Sequence, residues 1–216
     1  MKIALINENS QAAKNSVIYN TLIKVAEKYG HEVYNYGMEE ASDKNITYVG
    51  AGLLSAILLN SKAVDFVITG CGTGQGAMLA CNAFPNVNCG LIVDPTDAIL
   101  FAKINDGNAV SIPFAKGYGW AAELNLEQIF ENLFKTEFGS GYPSERVVPE
   151  RQNKKILDIV KEQTHKSLIE ILPNIDNNLI LSVVNNEYFK ENYFKNSQNP
   201  EIDKVINSIL INTVEK

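Results

Sequence analysis

The stretch that decides the fold runs from Val64 to Asn82 and reads VDFVITGCGTGQGAMLACN. Its first six residues are mostly apolar, which is typical of a strand buried on both faces of a parallel sheet. Glycine then occupies every second position of a turn, and a helix is predicted to begin near Gln75. That helix directs N–H groups without intrahelical acceptors, and the positive end of its dipole, at the turn. We therefore predict an anion-binding turn at the end of a central strand.

The turn also carries two reactive side chains, the thiol of Cys71 and the hydroxyl of Thr73. Backbone amides alone can hold a phosphate, so the thiol favours chemistry over simple anion binding. Moving a carbonyl between C1 and C2 of a sugar requires a base, and donors that stabilise the intermediate oxyanion. We predict that Cys71 is the base and that the backbone amides of the turn form the oxyanion hole. Those amides belong to Gly72, Thr73, Gly74, Gln75 and Gly76. The alternative is that Cys71 only packs as a small apolar residue.

The same glycines admit a second interpretation, a dinucleotide-binding turn. Residues 72–77, GTGQGA, fit the loose G-x-G-x-x-G/A pattern. Asp94 ends the next predicted strand about 20 residues on, where such sites place a ribose-binding acid. The usual fingerprint follows the first strand of its unit, whereas this turn follows the third predicted strand, so catalysis is favoured. Asp94 can instead cap the helix that Pro95 begins.

Strands and helices alternate along the first two thirds of the chain. The predicted strands are Lys2–Asn7, His31–Tyr36, Val64–Thr69, Asn88–Val93 and Asn108–Ile112. The predicted helices are Ser10–Tyr29, Tyr48–Leu59, one from Gln75, Pro95–Lys103 and Gly119–Phe134. Parallel strands need helical crossovers, so this alternation predicts a doubly wound α/β fold. We expect a five-stranded parallel sheet of Rossmann-like or flavodoxin-like type over residues 1–149.

The pattern changes after Pro149, and residues 150–216 form a predicted helical C-terminal extension. An amphipathic helix is predicted over Arg151–Ile171, and Pro200 is suited to the first turn of a last helix. We expect the extension to pack on the sheet domain or on a second subunit and to take no part in catalysis.

Composition excludes several classes of function. The net charge is −6 and no basic face is concentrated in the sequence, which argues against nucleic acid as the main partner. No apolar run approaches the roughly 18 to 20 residues of a membrane span, and the start of the chain does not resemble a signal peptide. The three cysteines form no CxxC pair, so reduced thiols and a cytoplasmic protein are expected, with Cys81 and Cys89 in the core.

In open α/β sheets, ligands bind beyond the carboxyl ends of the strands. The residues expected there are Glu8, Asn9, Cys71, Thr73 and Asp94, with Asn105-Asp106 arriving from the loop before the fifth strand. Glu8 is predicted to bind a substrate hydroxyl or to orient an amide. Tyr48 is expected to contact substrate or to cover a helix start. Trp120 is expected to pack against the fold and not to serve as a platform for a sugar.

These motifs resemble a known family. Three features carry the resemblance: Gly70–Gly76 followed by Asn82, Tyr48 before that stretch, and Asn105–Asn108 after it. They are similar to motifs of the ribose-5-phosphate isomerase B and galactose-6-phosphate isomerase family. The resemblance runs from Met1 to about Val148. It implies a homodimer with its site near the subunit interface, no metal and no organic cofactor. It also implies that Cys71 is the proton-transfer base, that Thr73 assists ring opening, and that Asn105 binds substrate hydroxyls.

The sequence departs from the family pattern at several positions. Glu8-Asn9 stands where the family has Asp-His, and Ile104 stands where it has a ring-opening histidine. Arg146 matches one of two phosphate-binding arginines, while the other falls on Tyr142, and Asn88 replaces a further arginine. These losses weaken the case for a phosphorylated, ring-closed substrate. Arg146 alone suits a carboxylate, which its guanidinium can bind through two hydrogen bonds.

Three functions therefore stay open. The first is an aldose–ketose isomerase of the ribose-5-phosphate isomerase B type that acts through a cis-enediolate on a sugar phosphate or sugar acid. The second is an isomerase of an unphosphorylated keto-deoxy-uronate, since longer members of the family, with a similar extension, include such enzymes. The third is a non-catalytic sugar- or nucleotide-binding protein.

Overall fold

The computed structural model describes residues 1–38 and 46–214, the last three of them by their backbone alone. Its strands are β1 Lys2–Asn7, β2 Glu32–Asn35, β3 Phe66–Cys71, β4 Cys89–Leu91 and β5 Ala109–Pro113. All neighbouring strands run parallel, in the order β2-β1-β3-β5-β4. The predicted five-stranded parallel sheet is confirmed.

The strand order differs from the flavodoxin-like order 2-1-3-4-5 at one edge. β5 lies between β3 and β4, so that Cys71 pairs with Pro113. The short β4 becomes the edge strand, and its end lies about 10 Å, or two strand spacings, from that of β3.

Helices cover both faces of the sheet. They are α1 Asn15–Ala26, α2 Tyr48–Asn60, α3 Gln75–Asn82, α4 Pro95–Leu100 and α5 Ala122–Phe134. α1, α4 and α5 bury apolar side chains against one face, which includes Leu5 and Ile68 of the strands. α2 and α3 bury theirs against the other face, which includes Ile6 and Val67. This is the doubly wound arrangement that the alternation of strands and helices predicted.

Two predicted helices are interrupted. The helix expected from Ser10 to Tyr29 starts as a 3-10 helix, Asn9–Lys14, continues as α1, and ends in a second 3-10 turn, Glu27–Tyr29. The helix begun by Pro95 passes from α4 into a π-helical turn, Phe101–Asn105. The first interruption carries residues that lie beside the candidate site described below, and the second carries Asn105.

The C-terminal extension contains more helices than predicted. They are α6 Val147–Thr164, α7 Leu168–Ile171, α8 Asn177–Val184, α9 Glu187–Asn196 and α10 Pro200–Val214. The single helix predicted over Arg151–Ile171 was wrong, because a capping box of Ser167 and Glu170 starts a new helix. α8 and α9 were not predicted, although the side chains of Asp176 and Asn186 cap them.

α7 to α10 pack on the sheet domain, which was one of the two expected arrangements. Phe189 and Tyr193 of α9 stack with ring centroids 4.6 Å apart, inside the same apolar core as α2. The backbone N–H of Asn35 donates to the Tyr188 hydroxyl over 2.9 Å. α2 is consequently enclosed between the sheet and the extension, and residues 50–59 are all buried.

α6 is different, because none of its residues is buried. Polar contacts hold it to the domain: Asn88 donates to Asp158 over 3.0 Å, and the Lys161 ammonium donates to the carbonyl of Val87. Ile156 and Ile159 are 58% and 57% exposed, so the apolar face of α6 is uncovered in the single chain. Across the described residues, 1–38 and 46–214, no helix combines the length and apolar character needed to cross a membrane.

Candidate active site

The glycine-rich turn follows β3 and leads directly into α3. Gly74 adopts a left-handed conformation with φ of 73° and is the N-cap residue of α3. A Cβ atom at this position would lie 2.6 Å from Cδ1 of Leu91 and 3.0 Å from the backbone N of Pro113, so a larger residue is strained there. The Ser111 hydroxyl donates to the Gly74 carbonyl over 2.6 Å and fixes the turn to β5.

The thiol of Cys71 and the ring of Tyr48 border the first turn of α3. A Cβ on Gly76 would lie 3.3 Å from Cδ2 of Tyr48 and 3.7 Å from Sγ of Cys71. Cys71 is 8% exposed and Tyr48 is 48% exposed, so the thiol is nearly buried while much of Tyr48 faces solvent. The Thr73 hydroxyl accepts a hydrogen bond from the N–H of Gln75 over 3.3 Å. The structure thus brings Cys71, Thr73, Tyr48 and the predicted amides of the turn together.

Glu8 and Asn9 lie at the same end of the sheet, because Asn7 at the end of β1 pairs with Gly70. The N–H of Asn9 donates to the carbonyl of Ile46 over 2.7 Å, which holds the end of β1 beside the start of α2. Glu8 is buried and caps the 3-10 helix: its carboxylate accepts from the N–H of Ser10 over 3.1 Å and from the Ser10 hydroxyl. The carboxylate therefore orients Ser10.

Asp94 acts as a helix cap. One of its carboxylate oxygens accepts from the N–H groups of Thr96 and Asp97, at 2.7 and 3.0 Å. Because β5 separates β4 from β3, Asp94 ends a strand that is not adjacent to the strand of Cys71.

Asn105 and Arg146 do not join Cys71 in one chain. The loop before a parallel strand lies at the amino end of the sheet, so the expectation that Asn105-Asp106 reaches the Cys71 turn within one chain was wrong. Cys71 pairs with the last residue of β5, and five residues of strand span about 13 Å. Gly139 and Gly141 donate backbone hydrogen bonds of 2.9 and 2.8 Å to the turn that carries Asn105, and the exposed Arg146 follows them.

Sequence reasoning missed three residues beside the turn, namely Ser10, Gln11 and Lys14. Nε2 of Gln11 lies 3.8 Å from the position of a Cβ on Gly72, and it donates to the Ser10 hydroxyl over 2.7 Å. Oε1 of Gln11 accepts from the Lys14 ammonium over 2.8 Å. Gln11 and Asn15 are buried polar residues four positions apart, and the apolar Ile18 and Leu22 continue their helical spacing, which was the available signal.

Trp120 was predicted to pack against the fold, and that prediction was wrong. The side chain is 100% exposed in the loop after β5, because Ala121 adopts φ of 62° and α5 begins only at Ala122. Cys81 and Cys89 are buried, as predicted. A hydrogen bond with Cys81, together with burial, raises the pKa of Cys89 well above its ordinary value.

Comparison with protein-family models gives two matches. Residues 3–149, more than half of the chain, match a model described as ribose/galactose isomerase. Residues 163–209 match a second model, described as ribose-5-phosphate isomerase. No curated protein matches the chain.

Solved structures similar to this chain include two of nearly the same length. The crystal structure of 4-deoxy-L-threo-5-hexosulose-uronate ketol-isomerase complexed with a tartrate is 55% identical, with a TM-score of 0.95 over 97% of this chain and 99% of that one. A ribose-5-phosphate isomerase from Vibrio parahaemolyticus is 50% identical, with the same TM-score and coverage. A type B ribose 5-phosphate isomerase from Trypanosoma cruzi is 18% identical, with a TM-score of 0.61 over 76% of this chain and 99% of that one, and shares the fold.

Proposed function

Because the chain belongs to the ribose/galactose isomerase family, we propose that it is an aldose–ketose isomerase whose base is the Cys71 thiolate. The observation that carries this proposal is the thiol beside the first turn of α3, 3.7 Å from the position of a Gly76 Cβ. A carbon held there lies next to a base and next to N–H groups that the helix itself cannot satisfy.

The chemistry follows from these two groups. The thiolate takes a proton from C2 of the aldose, and the electron pair of that C–H bond moves toward the C1 carbonyl to form a cis-enediolate. The amides of the turn stabilise the negative oxygen, which is the group that develops charge. The thiol then returns the proton to C1, while a proton moves from the C2 hydroxyl to the C1 oxygen, and the ketose is formed. Thr73, at the edge of the same turn, is the proposed hydroxyl that assists ring opening of a cyclic substrate.

For the substrate, we propose an unphosphorylated keto-deoxy-uronate. The chain contains only two arginines, Arg146 just before α6 and Arg151 within it; neither reaches Cys71 within one copy, and the second copy is proposed below to add Arg146 alone. A phosphate dianion is held best by arginine forks, whereas a carboxylate needs fewer cations. The uronate isomerase that is 55% identical over almost the whole chain supports the same substrate class.

A sugar phosphate is the second candidate, because the 50% identical relative is a ribose-5-phosphate isomerase. Turnover of purified protein on ribose 5-phosphate and on a 4-deoxy-5-keto-uronate, measured side by side, separates the candidates. We expect turnover of the uronate. Turnover of ribose 5-phosphate alone contradicts the proposed substrate, and silence on both favours a binding protein without catalysis.

We further propose that the working site combines two copies of the chain. Asn105 and Arg146 can meet Cys71 only from a second copy, because β5 separates them within one copy. The uncovered apolar face of α6, with Ile156 and Ile159, is the surface proposed to make that contact. The double variant I156E/I159E is expected to shift the mass measured by light scattering from dimer to monomer with the far-ultraviolet circular dichroism unchanged. A wild-type protein that is monomeric at micromolar concentration contradicts this arrangement.

A further inference from the structure

Lys14 lies at the same end of the sheet as Cys71, and the proposed reaction does not use it. It ends the 3-10 helix that follows Glu8, and its ammonium donates to the carbonyl of Phe114. The N–H of Phe114 in turn donates to the carbonyl of Cys71 over 2.9 Å. Lys14 therefore contacts the residue that follows β5, at the end of the sheet where β3 ends in Cys71.

Among residues 1–38 and 46–214, no carboxylate forms an ion pair with Lys14. Its partners are Oε1 of Gln11 at 2.8 Å, the Phe114 carbonyl, and the Tyr118 ring with its centroid 4.6 Å away. Five ion pairs form among residues 1–38 and 46–214, and Lys14 belongs to none of them. Partial burial lowers the pKa of Lys14.

The nearest acid along the hydrogen-bonded chain is Glu8, and it is committed elsewhere. Its carboxylate accepts from the N–H and the hydroxyl of Ser10. Gln11 stands between Ser10 and Lys14, with its amide nitrogen toward the hydroxyl and its oxygen toward the ammonium. The chain Glu8–Ser10–Gln11–Lys14 thus orients the cation through the neutral groups of Ser10 and Gln11.

Buried side-chain amides hold the backbone next to Lys14 in place. Asn15, directly after Lys14, donates to Oδ1 of Asn7 over 3.1 Å and exchanges hydrogen bonds of 3.0 and 2.8 Å with Asn35. All three amides are buried. A cation positioned in advance loses little side-chain freedom when an anion binds, which favours recognition.

We propose that Lys14 binds the carboxylate of the substrate at the mouth of the Cys71 site. This inference rests on the proposed function for its substrate class, a sugar acid, and is independent of which group is the base. Lys14 belongs to the same copy as Cys71, whereas Arg146 can only add a contact from a second copy. Lys14 is thus a residue that determines specificity.

The test compares binding of two probes by calorimetry: tartrate, a dihydroxy dicarboxylate, and threitol, its reduced and neutral counterpart. Wild-type protein is expected to prefer tartrate. The K14M variant is expected to bind tartrate about 10-fold or more weakly, which corresponds to loss of one charge-assisted hydrogen bond. K14R is expected to keep the preference. K24M is the matched control. It removes the same charge from Lys24 of α1, which pairs with Glu127 of α5 at the surface, and it is expected to leave the affinity for both probes unchanged.

A K14M protein that retains the wild-type preference for tartrate overturns the inference, as does a wild-type protein that shows no preference. A K14M protein that loses affinity for both probes equally, with a lowered melting temperature, assigns Lys14 a structural role and also overturns it. Kinetics distinguish failure of the Lys14 inference from failure of the proposal that Cys71 is the base. With the uronate as substrate, K14M is expected to raise KM and leave kcat nearly unchanged, whereas C71S is expected to lower kcat. If C71S retains turnover while K14M loses affinity for tartrate, Cys71 is not the base, but the proposal that Lys14 binds the carboxylate stands.

Discussion

The two ends of the sheet are built in opposite ways. At the carboxyl end, Cys71 and the 3-10 helix are held by backbone hydrogen bonds and by buried amides. At the amino end and along the β4 edge, α6 borders two cavities of about 560 and 450 Å³, and Lys161 and His165 line both. The first end is organised within one chain, while the second leaves polar groups and an apolar helix face open. The groups beside Cys71 are therefore set by folding, whereas the remaining contacts require the proposed second copy.

Removal of the thiol tests the carboxyl end most directly and has the largest expected effect. C71S is expected to lower kcat by about 10³-fold, within the range for loss of a general base, because a serine hydroxyl does not ionise at neutral pH. Steady-state kinetics on the uronate measures it, with the melting temperature as a control for folding. C81S is the matched control, since that thiol is buried away from the turn. Equal kcat in C71S and the wild type would exclude Cys71 as the base.

Mixing two inactive variants tests whether the ends of the sheet cooperate across copies. C71S and R146A are each expected to be impaired, by about 10³-fold and about 10²-fold. In a dimer with shared sites, mixed subunits rebuild one intact site in half of the dimers, so about a quarter of wild-type activity returns after refolding together. Activity that stays at the mean of the two variants places Arg146 outside the site. C71S mixed with itself is the control.

Two glycines of the turn after β3 are expected to differ in how much an added Cβ destabilises the carboxyl end of the sheet. G74A is expected to lower the free energy of unfolding by about 2–4 kcal/mol, because it combines a left-handed backbone with a Cβ 2.6 Å from Leu91. G72A is the matched control and is expected to change stability by less than about 1 kcal/mol, since its nearest neighbours would lie 3.8 Å away. Urea titrations measure both. Equal losses in the two variants contradict the described turn.

Trp120 carries the smallest expected effect on stability. Since its side chain is fully exposed, W120A is expected to change the free energy of unfolding by no more than about 0.5 kcal/mol. W120F serves as the aromatic control. A loss above about 2 kcal/mol in urea titration would show that Trp120 packs against the fold after all.

Local patterns predicted the strands and the turn, because apolar runs and alternating glycines act over a few residues. The order of β4 and β5 was not predictable from those patterns, since either order satisfies the same crossovers. The placement of Asn105 was an avoidable error, because parallel strands fix which end each loop occupies. Lys14 was missed for a different reason: its role depends on Phe114, a hundred residues later, and periodicity contains no information on such a contact.

The enclosure of α2 has a consequence for folding and for the integrity of the site. Tyr48 is the first residue of α2, so the C-terminal extension, the tail of the chain, packs against the helix that positions Tyr48 at the candidate site. Because the core on this face includes Val183, Phe189 and Ile206 of the tail, the tail and the sheet are expected to melt in a single cooperative transition. A chain cut after residue 165 would leave an apolar helix facing water, and such a surface drives aggregation. The C-terminal extension is proposed to carry no reacting group, yet its loss is expected to be as damaging to the enzyme as loss of the base.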